Sequence, residues 1–101
     1  EGFLDIGEHK LEVYKTPGHS PASACIYWRE KKVLVCGDLI FNNSFGRFDF
    51  PGGDPKLLKE SIARISQLDI EYLLPGHMDI VAGKENVQKN FEAVQQYFNL
   101  F

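Results

Sequence analysis

Three short apolar runs in this chain each end in a loop that contains a glycine and a side chain able to bind a metal ion. The loops are TPGHS at residues 16–20, GD at 37–38 and LPGH at 74–77, and they carry His19, Asp38 and His77. Glycines let loops at the ends of separate strands turn sharply, so two imidazoles and one carboxylate can converge on one point. Histidine and aspartate are common zinc ligands. The pattern predicts strands that end at a shared metal site.

The length of 101 residues fits one small domain with a single core. Eight of these residues are phenylalanine. Two explanations of this excess stay open: a well-filled core, or a face that another sheet or chain covers, because single domains rarely expose large apolar patches. Such a face would include Phe41, Phe45, Phe48 and Phe50. The first residue is Glu1, so we expect a piece of a longer polypeptide.

Charge and hydropathy exclude two classes of partner. The formal net charge is −3 and no basic stripe runs along the chain, so we expect no nucleic acid partner. No apolar run approaches the roughly 20 residues that cross a bilayer, and no signal peptide opens the sequence, so we expect a cytoplasmic protein with no membrane contact. In that compartment Cys25 and Cys36 are expected to be buried free thiols, with a disulfide as the alternative.

Apolar periodicity predicts the order strand, strand, strand, strand, helix, strand, helix. The strands form hairpins over residues 3–15 and 23–36, and a further strand spans 70–74; the helices begin at Asp54-Pro55 and near Lys84. Residues 42–53 contain three glycines and a proline and are predicted to be irregular. Residues 33–36 are apolar throughout, as expected of a strand covered on both faces. The fold class is α/β, with one β-sheet layer backed by helices.

The three ligand loops, together with the segment GRFDFPGGD at 46–54, resemble the second half of the metallo-β-lactamase superfamily, most closely its hydroxyacylglutathione hydrolase (glyoxalase II)-like branch. The resemblance covers nearly the whole chain but only half of the family's domain. The family's first half carries a His-x-His-x-Asp-His motif, which is absent here, and the one other histidine is His9. Residues 1–101 are therefore expected to form the carboxyl-terminal half of the family's αββα sandwich, with the amino-terminal half absent.

The resemblance implies a role for each ligand. Residues at the position of His19 bind the first metal ion in the family and those at His77 bind the second, while the carboxylate at Asp38 bridges both and is the expected catalytic residue. Two zinc ions are expected in the complete site. The family's persulfide dioxygenases instead hold one Fe(II) with two histidines and a carboxylate, and His19 and Asp38 match two of these three ligands. Iron therefore remains an alternative metal.

Hydrolysis of a thioester is the reaction that the resemblance implies, with a metal-bound hydroxide attacking the acyl carbonyl of a small-molecule substrate. A thiolate departs without a strong general acid, because thiol pKa values lie near ~8.5. Related hydrolases hold glutathione with a basic residue at the position of Arg47, which makes Arg47 the candidate substrate-binding residue. Its structural alternative is an ion pair with Asp49 or Asp54. Asp49 also replaces a tyrosine that contacts glutathione in those relatives.

Three functions remain open for this sequence. The first is half of a metal-dependent thioester hydrolase that is inactive alone, and the second is the same half of a persulfide dioxygenase-like iron enzyme. The third is a non-catalytic half-domain that serves as an assembly module. In each case the apolar face of the sheet requires a partner, either the missing amino-terminal half or a second copy in a homodimer.

Overall fold

The computed structural model describes residues 2–49, 51–77 and 79–98. Eight strands and two helices make up this part of the chain. In chain order they are β1 (Gly2–Ile6), β2 (His9–Lys15), β3 (Ala24–Trp28), β4 (Val33–Gly37), β5 (Ile40–Phe41), β6 (Ser44–Phe45), α1 (Pro55–Ile65), β7 (Tyr72–Pro75), β8 (Val81–Ala82) and α2 (Lys84–Phe98). Six strands form one sheet in the order β1-β2-β3-β4-β7-β8, and β5 pairs with β6 in a separate hairpin. The predicted sheet backed by helices is confirmed.

Neighbouring strands of the sheet are antiparallel except β4 and β7. This parallel pair is joined through α1, as a crossover connection requires. Helix α1 begins where the sequence predicts, because the Asp54 carboxylate accepts hydrogen bonds from the backbone N–H groups of Lys56 and Leu57 at 3.0 and 3.1 Å. Pro55 occupies the first helical turn, where its missing N–H costs no hydrogen bond.

The core lies between the two helices and one face of the sheet. Alternate strand residues supply one side of it, namely Cys25, Tyr27, Leu34, Cys36 and Leu73, and the helices supply Leu58, Ile62, Ile65, Val87, Phe91, Val94 and Phe98. Both cysteines are buried and free, which confirms the expectation from the sequence. The described part of the chain contains no helix that is long and apolar enough to span a membrane.

The other face of the sheet, called the open face below, is also apolar. It carries the residues that alternate with the core positions, Leu11, Val13, Ile26, Trp28, Val33, Val35, Tyr72 and Leu74. At its centre, Val13, Ile26, Val35 and Leu74 are neighbours across four strands. Val35 and Tyr72 are 43% and 46% exposed. The apolar face that the sequence predicts in the absence of a covering partner is therefore present, because Leu34 and Cys36 are buried while Val35 is exposed.

The sequence predicts that the phenylalanines after β4 lie on the open face, but the described ones do not. Phe41 is buried, and Phe45 and Phe48 pack against the core. The rings of Phe45 and Phe98 are 4.1 Å apart between centroids, and Phe48 stacks beside Phe45 at 6.2 Å. Most of the aromatic excess therefore fills the core on the helical side. Phe50, the fourth residue assigned to that face, lies outside the described residues.

Candidate metal centre

His19, Asp38 and His77 come together at one edge of the sheet. His19 lies in the loop between β2 and β3, Asp38 follows β4 directly, and His77 follows β7 after one glycine. Strands β4 and β7 are parallel neighbours, so their carboxyl ends meet at the same edge, which is where open α/β sheets bind ligands. The parallel pairing explains why two residues separated by 39 positions in the sequence become neighbours.

Asp38 lies between the two imidazoles. The Nε2 atom of His19 is 3.4 Å from one carboxylate oxygen of Asp38, and the Nε2 atom of His77 is 3.3 Å from the other. Side-chain exposure rises from 24% for His19 through 39% for Asp38 to 72% for His77. Each imidazole thus faces its own oxygen of a shared carboxylate. This is the arrangement that a carboxylate bridging two metal ions needs.

The ring of His19 is oriented by the main chain. Its Nδ1 atom lies 2.9 Å from the carbonyl oxygen of Arg47. A carbonyl oxygen only accepts, so Nδ1 donates to it, and Nε2 is the ring nitrogen that faces the Asp38 carboxylate. Nε2 is therefore the atom through which His19 would bind a metal ion shared with that carboxylate. A hydrogen bond from the second ring nitrogen to a carbonyl also fixes histidines that bind metals in other proteins.

Two glycines allow the loops to approach Asp38 closely, one at its main chain and one at its carboxylate. A β-carbon on Gly46 would lie 1.8 Å from the carbonyl oxygen of Asp38, and one on Gly76 would lie 3.0 Å from its Oδ1 atom. The backbone N–H of Gly76 donates to the carbonyl of Gly37 at 2.7 Å, which ties the His77 loop to the Asp38 loop. Gly37 itself has φ +50°, a conformation that favours glycine. Glycine is therefore favoured at these positions because a side chain would clash with Asp38 or strain the backbone.

The donor set fits a metal pair better than one ion held by this chain alone. In residues 2–49, 51–77 and 79–98, no three histidine, cysteine, aspartate or glutamate side chains gather around a single point. Each of two ions at the shared carboxylate would receive two protein ligands, one imidazole and one oxygen. Zinc sites use three or four protein ligands, so further ligands would have to come from outside these residues. Imidazole and carboxylate suit iron as well as zinc.

Arg47 is placed beside the centre, but its guanidinium pairs with Asp49. Nε and Nη2 donate to the two carboxylate oxygens of Asp49 at 3.0 and 3.1 Å, and both side chains are mostly exposed. The pair raises the pKa of Arg47 and lowers the pKa of the Asp49 carboxyl, chiefly through these hydrogen bonds. Asp54, the other suggested partner, caps α1 instead. The contact of Arg47 with the centre is made by its backbone carbonyl.

Two further groups at the centre, and a third that supports them from helix α2, are not predicted by the sequence motifs. One is the Arg47 carbonyl; another is the ring of Phe41, which meets the ring of His77 edge-on at 5.9 Å. The third is Asn90, whose buried amide holds the β5–β6 hairpin. Its sequence signal was available, because Asn90 is a polar residue at helical spacing between Val87 and Val94 on the apolar stripe of α2. The Arg47 carbonyl and the Phe41 ring have no comparable signal in the sequence.

Residues 1–77 match the sequence profile described as "Metallo-beta-lactamase superfamily". The chain is 36% identical over 67 residues to a hydroxyacylglutathione hydrolase of Francisella philomiragia, covering 66% of this chain and 27% of that protein. Among solved structures, the BLEG-1 B3 metallo-beta-lactamase aligns with a TM-score of 0.78 and 37% identity over 88% of this chain and 42% of its own. TTHA1623 in a di-iron-bound form aligns with a TM-score of 0.71 and 36% identity over 81% of this chain and 41% of its own.

This chain is short beside its relatives. It spans 37%, 29% and 27% of the first three curated proteins that it matches. The match nevertheless includes all three residues of the centre, because His77 is the last residue of the matched profile. On this profile match and on the fold, the chain belongs to the metallo-β-lactamase superfamily.

Proposed function

We propose that this chain is the carboxyl-terminal half of a metal-dependent hydrolase that cleaves thioesters of the hydroxyacylglutathione type. The observation that carries the proposal is the Asp38 carboxylate, whose two oxygens each face a different imidazole. The relative from Francisella philomiragia, which is named a hydroxyacylglutathione hydrolase, supports the choice of substrate class. The whole protein would carry out the reaction, and this half supplies part of its centre.

His19 would bind one metal ion through Nε2, His77 would bind the other through Nε2, and Asp38 would bridge them. When bound, such ions supply Lewis-acid polarisation of the acyl carbonyl and lower the pKa of a water molecule. The Arg47 carbonyl keeps His19 in the orientation this requires. Zinc is the proposed metal. Iron is the alternative, and the di-iron-bound form of TTHA1623 supports it.

Arg47 would hold a carboxylate of the substrate. Its guanidinium is exposed and already forms a two-pronged pair with the carboxylate of Asp49. A substrate carboxylate would replace Asp49 in the same geometry, which is the one guanidinium groups favour. Thioester cleavage suits the site because the thiolate departs without a strong general acid.

The amino-terminal half of the superfamily domain is the proposed partner of the open face. Two features support this choice: the face is apolar across four strands, and the described residues would leave each of two metal ions short of at least one protein ligand. A second copy of this chain would cover the face in the same way but would bring no new kind of ligand. The two free thiols fit a cytoplasmic location, where disulfides are rare.

The test uses the protein as its gene encodes it, purified with its metal. Metal content is measured by mass spectrometry and thioester cleavage with S-lactoylglutathione. Asp38→Ala should lower kcat/KM more than about 100-fold and release both ions, because it removes the shared ligand, whereas His19→Ala or His77→Ala should release one. Arg47→Ala should mainly raise KM. The matched control is Asp69→Ala, the same change three residues before β7 and at the edge of the sheet opposite the centre, which should leave activity unchanged.

Two results would contradict the proposal. Equal metal content and equal rates in wild type and Asp38→Ala would contradict the proposal that Asp38 bridges the two ions. Full metal loading without thioester cleavage, accompanied by oxygen consumption on glutathione persulfide, would favour the iron dioxygenase instead.

A further inference from the structure

Asn90 is a polar side chain buried between helix α2 and the β5–β6 hairpin. Only 4% of the residue is exposed. Both ends of its amide are used: Nδ2 donates to the carbonyl of Phe41 at 2.9 Å, and Oδ1 accepts the backbone N–H of Asn43 at 2.7 Å. These two backbone groups flank Asn42 at the tip of the hairpin. Asn43 has φ +60°, so the amide holds a turn that a non-glycine residue adopts at a cost.

The segment that contains this hairpin touches both histidines of the metal centre. Phe41, at the end of β5, meets the ring of His77 edge-on, with centroids 5.9 Å apart and planes at 61°. After β6, the backbone N–H of Gly46 donates to the carbonyl of Leu39 at 3.1 Å. The carbonyl of the following residue, Arg47, accepts a hydrogen bond from Nδ1 of His19. The position of the hairpin therefore affects the orientation of each imidazole.

We propose that Asn90 is a positioning residue for the metal centre, acting by fixing the β5–β6 turn so that Phe41 holds His77 with its Nε2 atom facing Asp38. His77 needs such support more than His19 does, because 72% of its side chain is exposed. Asparagine suits the role because one end donates to a carbonyl and the other accepts from an N–H. Aspartate keeps only the acceptor, and leucine keeps neither group. The inference rests on the proposed metal site.

The test compares Asn90→Asp with the unchanged protein as its gene encodes it by NMR of the histidine ring nitrogens, first without metal and then during titration with Zn²⁺. The variant keeps the size of the side chain and the bond from Asn43 but loses the donor to Phe41. We expect the ring signals of His77 to shift in the metal-free protein and the zinc dissociation constant to rise about tenfold. His9, which packs on Trp28, is the internal reference and should not shift.

Two control variants on the same helix separate positioning from stability. Asn86→Asp removes an exposed hydrogen bond from Nδ2 to the carbonyl of Ala82, one turn before Asn90, and should leave His77 and zinc affinity unchanged. Val87→Ala truncates a buried residue of α2 that lies beside Leu68 and Ile70 rather than beside the hairpin, so it should lower the melting temperature without shifting His77. The same His77 shift and affinity loss in Val87→Ala would overturn the proposal.

A second variant tests the contact between Phe41 and His77 directly. Phe41→Leu keeps the backbone hydrogen bonds of the hairpin and removes the ring edge from His77, so it should weaken zinc binding in the same direction. It also carries the test if Asn90→Asp does not fold. In the double variant the two effects should not add, because both act through one contact. Additive losses would mean that Asn90 does not act through Phe41.

The outcomes also separate this inference from the proposed function. If the unchanged chain binds no zinc but Asn90→Asp still shifts His77, the metal site fails and the positioning contact stands. If zinc binds with equal affinity to both proteins and the His77 signals coincide, the metal site stands and the positioning role is wrong.

Discussion

Gly46 sets how closely the segment after β6 approaches the main chain of Asp38 and the ring of His19. Its backbone passes so near that an added β-carbon would lie 1.8 Å from the Asp38 carbonyl oxygen and 3.2 Å from Nδ1 of His19. The first of these atoms belongs to the main chain at the end of β4, so it cannot move aside as a flexible side chain can. The carbonyl of the next residue, Arg47, would move with it and release the ring of His19.

Gly46→Ala should therefore destabilise the protein by about 2–3 kcal/mol, which is large for the addition of one methyl group. Denaturant unfolding measures the loss. Gly2→Ala is the matched control, since nothing lies within 4 Å of its β-carbon position, and it should change the free energy of unfolding by less than about 0.5 kcal/mol. Equal stability of both variants would show that the loop can move away from Asp38 without cost.

Residue type and spacing reveal only part of the centre. His19, Asp38 and His77 could be predicted because each follows an apolar run and stands beside a glycine. The contact from the Arg47 carbonyl could not, because every residue carries a carbonyl and only the folded chain selects one of them. The same limit applies to Phe41, whose ring reaches His77 through a pairing of distant strands. Motifs identify ligands, whereas the groups that orient the ligands come from tertiary packing.

At the scale of elements, the β3–β4 hairpin buries two thiols side by side. The register pairs Ile26 with Val35 and Tyr27 with Leu34, so the next pair in the series is Cys25 and Cys36. Burial raises the pKa of Cys25 to about 11, and burial together with the neighbouring Cys25 raises that of Cys36 to about 12. Both thiols are therefore protonated when folded at pH values where an unfolded thiol, near ~8.5, has ionised.

These raised pKa values predict that the protein loses stability in alkali. A folded-state pKa above the unfolded value means that the native state binds more protons than the unfolded state. The thiols therefore make their full contribution to the free energy of unfolding below about pH 8.5, and this contribution falls as pH rises toward 11. The slope should be about 1.4 kcal/mol per pH unit for each thiol. Denaturant unfolding between pH 8 and about 10.5 measures it.

Cys25→Ala is the control for this slope, because it removes one titrating group. It should lower stability at neutral pH and reduce the alkaline slope by about half, since one thiol remains. A variant with the same slope as the wild type would assign the alkaline loss to other groups. The buried Tyr27 hydroxyl, whose pKa is also raised by burial, is one such group and should act only above about pH 10.

The longer elements could be predicted from the sequence and the shortest could not. The apolar stripe of α2 and the Asp54 cap of α1 gave correct helix positions, because both signals lie within the element itself. Strands β5, β6 and β8 contain two residues each, too few for any periodicity. The prediction that residues 42–53 are irregular is accordingly wrong at Ser44–Phe45. Pairing of such strands depends on the hairpin turn and on α2, not on local pattern.

The whole molecule combines a compact core with an apolar face that nothing in the described residues covers. The radius of gyration is 13.0 Å, close to the value of about 13 Å typical of a complete domain of this length. Compactness alone therefore does not test the proposal that an amino-terminal half covers the sheet. The open face supports that proposal, because Val35 and Tyr72 lie exposed on a sheet whose other side packs against the helices. Apolar surface of this kind favours association.

The isolated chain should therefore self-associate or bind a hydrophobic dye through the open face. Val35 lies at its centre and is already 43% exposed, so Val35→Lys should abolish both properties while leaving the helical core and the fold intact. Leu57→Lys is the matched control, because Leu57 is 39% exposed on α1, in the other layer, and its replacement should change neither property.

Sedimentation velocity and dye fluorescence are measured on all three proteins. A wild-type chain that is monomeric, binds no dye and behaves like Val35→Lys would show that this chain closes its own fold and needs no partner on the sheet. Association that Leu57→Lys abolishes and Val35→Lys preserves would place the interface on the helices instead.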